Sequence, residues 1–374
     1  MTAVYVHIPF CRQKCKYCDF NSYAAASSLY EAYIDALISE IIFRSSELRD
    51  LNIKSIYIGG GTPTLLTPFL LEKVLTSIKK HFLVAKDAEV SIEANPETLT
   101  ADKAVALRQI GINRMSIGFQ SLDNDCLRAL GRKHTAKQAI NAFKVAREAG
   151  FDNINVDLIF GAPGQSLAGW ALTLEQAISL EPEHVSCYGL TVEPGTRLEH
   201  EIASGKLKVA DQDLQSDMFV YTIESLNESG YEHYEISNYA KGGKQCKHNL
   251  VYWNNGDYIG FGAGAHSKIG NKRFHNVLGI EDYINSSRNY SYTEGVLELT
   301  MKGEMSDTIF LGLRKMEGVS LKEFELSFGI SLLNLYAEQV KELISDGFVR
   351  IENGRLKLTQ KGILLGNEVF LRFI

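Results

Sequence analysis

No run of apolar residues in this 374-residue chain is long enough to cross a bilayer as a helix. The opening Met-Thr-Ala-Val-Tyr-Val-His has neither a basic region nor a cleavage site, so no secretion signal is expected. Basic residues are not in excess. The formal net charge is −6, which leaves no electrostatic footprint for nucleic acid. Cysteines number only six and three of them crowd into residues 11–18, so a disulfide framework is not expected. Internal repeats and low-complexity segments are also missing. A hydrophobic content of 45% with 22% charged residues is that of a soluble globular chain, and a reducing, cytoplasmic location is the expectation. The length suits one barrel-sized domain with a small appendage.

What is present is an alternation of β-rich runs with amphipathic helices. Strands are expected at Val4–Ile8, Lys54–Ile58, Glu89–Ile92, Arg114–Phe119, Asn153–Phe160 and His184–Leu190. Helices are expected from the spacing of Tyr30, Ile34, Leu37, Ile38, Ile41 and Ile42, near 67–82, at 100–110, up to Gly150, over Leu167–Leu180 and from Asp211 to Gly230. Six β-α units imply an α/β fold with a parallel sheet, read here as an incomplete (β/α)6 barrel. Periodicity alone does not separate that barrel from a doubly wound open sheet. After about residue 295 the pattern changes to helices at 304–316, 320–328 and 331–346. A hairpin with an Asn353-Gly354 turn follows, a composition like a small winged helix. Residues 301–374 carry ten basic and ten acidic side chains, a balance that argues against DNA binding and for a lid or docking domain. The expected divisions are 1–240 for the barrel, 241–295 for a barrel-closing segment and 296–374 for the C-terminal domain.

The stretch most loaded with chemistry is Cys11-Arg-Gln-Lys-Cys15-Lys-Tyr-Cys18, which leaves the first strand with C-x3-C-x2-C spacing. Three thiolates so placed can hold three irons of a cubane cluster. Electron-transfer clusters use four cysteines, so the fourth iron would remain open to an outside ligand. The competing reading is a zinc knuckle, which needs a second ligand pair that this chain lacks. Other polar residues fall at strand ends, where barrel sites form: Gly59-Gly60-Gly61-Thr62, Glu93-Ala-Asn95-Pro, Gly118-Phe-Gln120-Ser and Gly161-Ala-Pro-Gly164. The glycine run permits close backbone approach to a ligand, though it also reads as a plain tight turn. Its spacing is that of neither a dinucleotide nor a Walker phosphate loop. Glu93 suits vicinal ribose hydroxyls, with a surface acid as the alternative. Asp157 lies inside an apolar strand and needs a partner there. His248, two residues after Cys246 and just before Tyr252-Trp253, has the composition of a tetrapyrrole contact. On its chemistry alone it reads rather as part of a polar–aromatic loop closing the barrel. Gly260–His266 reads as a glycine-rich turn, and His7 and His266 as packing or hydrogen-bonding residues.

Taken together, His7-Ile-Pro-Phe-Cys11, the three cysteines, Gly59–Thr64, Ser91-Ile-Glu-Ala-Asn-Pro96 and Gly118–Ser121 resemble the radical S-adenosylmethionine (SAM) superfamily. The branch they resemble is the coproporphyrinogen-dehydrogenase-like one, over nearly the whole chain. Within it the chain is more similar to heme chaperones than to oxygen-independent coproporphyrinogen III dehydrogenases. The dehydrogenases carry a further cysteine where this chain has Phe20, and an extension ahead of the cluster, which here begins at Cys11. His248-Asn-Leu-Val-Tyr-Trp253 matches the H-N-x-x-Y-W motif that the chaperones use for heme. The resemblance implies a radical SAM barrel with a [4Fe-4S] cluster on Cys11, Cys15 and Cys18. It implies SAM flanked by Tyr5 and Tyr17, met by Gly60, Gly61 and Thr62, with Glu93 on its ribose. In the dehydrogenases, positions matching Gln120, Arg132 and Asp157 help bind a second SAM. The implied function is heme binding near His248 and delivery to an acceptor protein, such as a membrane-associated respiratory protein. The alternative is the dehydrogenase reaction, in which a SAM-derived radical takes a hydrogen from a propionate and decarboxylation leaves a vinyl group. A third reading is a radical SAM enzyme acting on another tetrapyrrole.

Overall fold

The computed structural model of the protein describes residues 2–24, 26–48 and 51–374. Strands and helices alternate from the start: β1 (Thr2–Ile8), α1 (Tyr30–Glu47), β2 (Asn52–Gly60), α2 (Pro68–His81), β3 (Leu83–Ala94), α3 (Ala101–Gln109) and β4 (Arg114–Gln120). Two helices, α4 (Asn124–Leu130) and α5 (Ala136–Glu148), then precede β5 (Ile154–Phe160), α6 (Leu167–Ile178) and β6 (His184–Gly189). Helix starts follow local chemistry. The hydroxyls of Thr67, Thr100 and Ser166 accept from the amides of Leu70, Lys103 and Gly169, and Thr135 with Gln138 forms a capping box.

Each parallel strand presents two unlike faces. Ile56, Ile58, Val90, Ile92, Met115, Ile117, Val156, Leu158 and Val185 are buried in one continuous core with α1, α2, α3, α5 and α6. The alternate residues Ser55, Tyr57, Ser91, Glu93, Ser116, Asn155, Asp157, His184 and Ser186 face the other way, and all of these but Ser55 and Ser91 bond to one another across the strands. The interior of the curved sheet is therefore polar.

Beyond β6 come α7 (Arg197–Ala203), α8 (Gln212–Glu228), β7 (Glu232–Glu235), β8 (Asn238–Ala240) and α9 (Lys247–Trp253). Next are β9 (Asp257–Phe261), β10 (His266–Ile269), β11 (Lys272–Asn276), α10 (Ile280–Ser286) and β12 (Thr293–Glu298). The sheet order is β12-β11-β10-β9-β1-β2-β3-β4-β5-β6-β8-β7. From β9 to β6 all pairings are parallel, and the ends are extended by antiparallel strands. The barrel is thus incomplete, as expected, but it has a seventh parallel strand. The stretch read as a glycine-rich turn begins with β9, which pairs with β1 through Val4 and Ile259. Glycine serves there by close approach, since a Cβ on Gly260 would lie 2.3 Å from the His266 carbonyl oxygen.

This added edge is tied to α1 through one buried carboxylate. Glu40 pairs with Arg44 at 2.9 Å and accepts from Tyr283 Oη at 2.6 Å, Asn276 Nδ2 at 2.8 Å and the Gly262 amide at 3.0 Å. Both members of the ion pair are buried.

The C-terminal residues form α11 (Met301–Gly312), β13 (Val319–Ser320), α12 (Leu321–Phe328), α13 (Leu332–Leu335), α14 (Ala337–Ser345), β14 (Val349–Glu352) and β15 (Arg355–Leu358), with short helices after. They have their own core, centred on Ile309, Leu313, Phe324, Leu332 and Leu356. The expected Asn-Gly turn is present, with φ of 52° at Asn353 and 72° at Gly354. The single helix expected over 331–346 is broken at Tyr336, whose ring is buried against Phe373 at 5.3 Å. Among the described residues no helix is long and apolar enough to cross a membrane.

Removing Glu40 would strand the Arg44 guanidinium in the core. Glu40→Ala is expected to cost about 3–5 kcal/mol of unfolding free energy, read by urea denaturation, and Glu40→Gln markedly less. A loss below 1 kcal/mol for the alanine variant would mean that the network does not fasten the β9 edge.

Candidate functional site

The loop after β1 is fixed by backbone bonds to three neighbours. Gly61 and Thr62 amides donate to the carbonyls of Ile8 and Phe10 at 2.8 and 2.7 Å, Lys16 N to Leu130 O, and Leu198 N to Lys16 O. The loop carries Cys11, Cys15 and Cys18, all free thiols and all half-buried. The three line one cavity of about 400 Å³ at the C-terminal ends of the strands. Tyr17, Gly60, Gly61, Thr62, Glu93, Gln120, Arg132 and Asp157 line the same cavity. Sequence reasoning had drawn all of these from scattered positions.

A chain of hydrogen bonds runs beneath the thiols. Arg132 donates from Nη1 to Cys15 Sγ at 3.5 Å, and from Nη2 to Asn95 Oδ1 at 2.6 Å and Gly118 O at 3.0 Å. Asn95 Nδ2 donates to Thr62 Oγ1 at 2.8 Å, and Thr62 Oγ1 to Cys11 Sγ at 3.8 Å. Burial pushes the Cys11 and Cys18 thiols up from their ordinary range, with hydrogen bonds partly offsetting it. Among the described residues, no three His, Cys, Asp or Glu side chains are arranged to hold a single metal ion. Three thiols on one wall of a roomy cavity, with a guanidinium to offset anionic charge, suit instead a larger iron–sulfur unit reaching out from the loop.

Glu93 is part of the cavity wall. It accepts from Tyr57 Oη at 3.0 Å and from the Gly60 amide at 3.1 Å. Gly60 has φ of +112°, and a Cβ there would meet the His7 ring at 2.6 Å. Asp157 finds the partners its buried position demands, accepting from Ser116 Oγ and Asn155 Nδ2, each at 2.8 Å. Asn155 Oδ1 then accepts from His184 Nδ1 at 2.6 Å, and His184 Nε2 lies 2.8 Å from Tyr234 Oη. Gln120 ends its strand in a left-handed conformation, φ +66°, and reaches into the cavity.

Two expected site residues lie elsewhere. Tyr5 lines a second cleft of about 590 Å³, not the cysteine cavity, because its ring stacks on Tyr57 and its hydroxyl is 3.0 Å from His7 Nδ1. His248 lines neither. It is 1% exposed, with Nδ1 3.1 Å from Ser55 Oγ and Nε2 3.0 Å from Tyr252 Oη. Burial, and then the Arg114 charge, lower its pKa to about 3. It is Tyr252 and Trp253 of the same motif that reach the second cleft, which shares Phe20, Gly60 and Glu93 with the first. His7 serves hydrogen bonding as expected, with Nε2 on the Asn21 carbonyl. His266 is exposed and lines the second cleft. Sequence reasoning missed Tyr57, Ser116 and the anchoring role of Asn95. The signal was the polar residue at every second position of otherwise apolar strands.

In the ligand-free protein, burial and then the nearby Asp157 raise Glu93 to about 7 from the 4.5 of a free glutamate, against the bonds from Tyr57 and Gly60. A folded-state value above the unfolded one means the folded state holds this proton more tightly. The ionised carboxylate then costs nothing below about pH 4.5, costs progressively more towards pH 7, and costs most above it. Glu93→Gln is therefore expected to raise the thermal midpoint of ligand-free protein at pH 8 and leave it unchanged at pH 4.5. An equal shift at both pH values would show that charge burial is not the cause.

Comparison with known proteins agrees with this geometry. The family described as Radical SAM superfamily matches residues 5–177, and the HemN C-terminal domain matches residues 299–365. The heme chaperone HemW of Bacillus subtilis is 40% identical over all of this chain and 99% of its own length. That of Lactococcus lactis is 36% identical over 100% and 97%, and that of Escherichia coli 42% identical over 71% and 70%. Among solved structures, coproporphyrinogen III oxidase (HemN) from Escherichia coli, described as a radical SAM enzyme, superposes with a TM-score of 0.86 at 26% identity. The superposition covers 100% of this chain and 89% of that one. With the cysteine loop, the open parallel barrel and full-length identity all in agreement, the chain belongs to the HemW family of the radical SAM superfamily.

Proposed function

We propose that this protein is a heme chaperone, which binds heme beside a [4Fe-4S] cluster and SAM and hands it to an acceptor protein. Superfamily membership brings the cluster and SAM with it. Together they supply one-electron chemistry when bound. Cys11, Cys15 and Cys18 hold three irons. The glycine-turn backbone at Gly60, Gly61 and Thr62 receives the methionyl end of SAM, Glu93 takes the ribose hydroxyls, and Tyr17 flanks the adenine. Tyr5, stacked on Tyr57 and lining the adjoining cleft with Gly60 and Glu93, flanks the methionyl part from that side. Gln120 and Asp157 face the remaining space of the cavity, while Arg132 braces Cys15 and Asn95.

One observation carries the chaperone reading. The helix bearing His248-Asn-Leu-Val-Tyr-Trp253 presents aromatic side chains to a cleft that adjoins the cluster cavity. His248 contributes from behind, gripping the Tyr252 hydroxyl. Phe20, 62% exposed, stands on the rim between the two cavities. We assign residues 1–240 to the cluster and SAM barrel, 241–295 to the segment carrying the heme motif, and 296–374 to docking. The acceptor is a membrane-associated respiratory protein, the location is the cytoplasm, and nucleic acid is not a partner.

The second reading is oxidative decarboxylation of coproporphyrinogen III. Its support is the likeness to the Escherichia coli oxidase over the whole chain. Reconstituted protein given SAM, reductant and coproporphyrinogen III without oxygen decides between them, with hemin titrated in parallel. Stoichiometric hemin binding without product supports the carrier, whereas turnover to protoporphyrinogen IX sinks it. His248→Ala is expected to loosen heme retention and leave the iron–sulfur absorbance intact. Cys15→Ala is expected to abolish that absorbance, and a full iron complement in the variant would contradict the ligand assignment.

A further inference from the structure

We infer that the second cleft takes an iron tetrapyrrole edge-on between α9 and the β10–β11 hairpin, with His266 as the axial ligand to the iron. The inference rests on the heme-carrier reading and adds to it a position and a ligand.

The first observation concerns which imidazole is free. His7, His184 and His248 have both ring nitrogens engaged within the protein. His266 is different. Its side chain is exposed at the start of β10 and lines the cleft, and neither ring nitrogen has a hydrogen-bond partner among the described residues. Its ring lies beside that of His275, its partner across the strand pair, at 5.2 Å between centroids. Partial burial and the neighbouring imidazole both lower its pKa, so it is neutral near pH 7 and keeps a lone pair for a metal.

The second observation is the chemistry of the walls. Tyr252 and Tyr258 meet edge to face at 4.5 Å and 84°, and Trp253 continues the aromatic surface. Such a corner suits a flat conjugated ring. Lys268 and Arg273 line the cleft as well. Arg273 pairs with Asp307 at 3.0 Å, yet its buried Nε–H has no acceptor in the protein. Lys268 donates to the carbonyls of Asn255 and Gly270 and lies 3.6 Å from Glu304. A ligand with a carboxylate for the open Arg273 Nε–H, apolar faces and a metal at its centre meets all three kinds of surface. The volume of about 590 Å³ falls in the range of organic cofactor sites.

An iron-free porphyrin would use the same walls without the imidazole, so two probes separate the roles. The full-length protein, its His266→Ala variant and its His266→Tyr variant are titrated with hemin and with iron-free protoporphyrin IX, followed by Soret absorbance. The expected result is at least a tenfold loss of hemin affinity and a moved Soret band in His266→Ala, with protoporphyrin IX binding unchanged. His266→Tyr should restore hemin binding with a spectrum of oxygen ligation. An unaltered hemin spectrum in His266→Ala would overturn the ligand and leave the carrier reading standing. Equal loss of both probes would make His266 a wall rather than a ligand, which also overturns it. Failure of the unsubstituted protein to bind hemin would remove the carrier reading and this inference together.

Discussion

The constraint on which this structure turns is a sheet with one apolar and one polar face. Strands of a parallel sheet are usually covered on both sides and read as continuous apolar runs. Here one face packs against the helices, while the other carries Ser55, Tyr57, Ser91, Glu93, Ser116, Asn155, Asp157 and His184 into the interior. Groups so placed must be satisfied or solvated. They are joined in relays. Asp157 connects through Asn155 to His184 and Tyr234, and Glu93 connects to Tyr57 and the Gly60 amide. The upper end stays open as the cysteine cavity, and the lower end needs a plug.

Helix α9 is that plug, and the way it is held decides what its motif can do. Glu89, buried midway along β3, accepts from the amides of Lys247 and His248 at 3.2 and 3.3 Å. A carboxylate against the unsatisfied amides of a helix start is favourable for both hydrogen-bonding and dipole reasons. With the first turn fixed and His248 held by Ser55, the side chain four residues on lies directly above His248. That residue is Tyr252, and it, with Trp253, forms a wall of the second cleft. The C-terminal unit leans on the same helix, with the Arg314 guanidinium 4.6 Å from the Trp253 ring centre.

The order of strands and helices was legible because the alternation of apolar runs and helical spacing is a local signal. The meeting of the three cysteines on one loop was legible because their spacing is short. The cavity wall was legible only in part. Glu93 and Asp157 stood out as acids on apolar strands, whereas Tyr57 and Ser116 carry no charge and are unremarkable in a β-rich run. β9 was hidden by Gly260 and the glycines after the strand, which look like turn residues until the close approach of Gly260 to His266 is seen. Tyr5 and His248 were assigned from motifs, and motifs do not say which way a side chain points. Burial and the partners His7, Ser55 and Tyr252 determine that. Glu40 escaped notice for a related reason. An acid in an amphipathic helix reads as a surface residue unless its partners, more than 200 positions away in sequence, are known.

The two cavities share a wall, and its construction bears on how one ligand is felt by the other. Glu93 and Gly60 face both sides. The left-handed backbone of Gly60 aims its amide at Glu93 and sets its Cα against the His7 ring. Because His7 Nε2 lies on a carbonyl, it must donate there, and the neutral ring then accepts the Tyr5 hydroxyl proton at Nδ1. Asn21, which receives the His7 bond, donates in turn to the carbonyls of Ala263 and Leu278 at 3.0 and 3.1 Å. From the Glu93 carboxylate a run of hydrogen bonds and one packing contact, that of Gly60 on the His7 ring, thus reaches the loop before β10. Whatever occupies the second cleft thus sits against residues that also line the first.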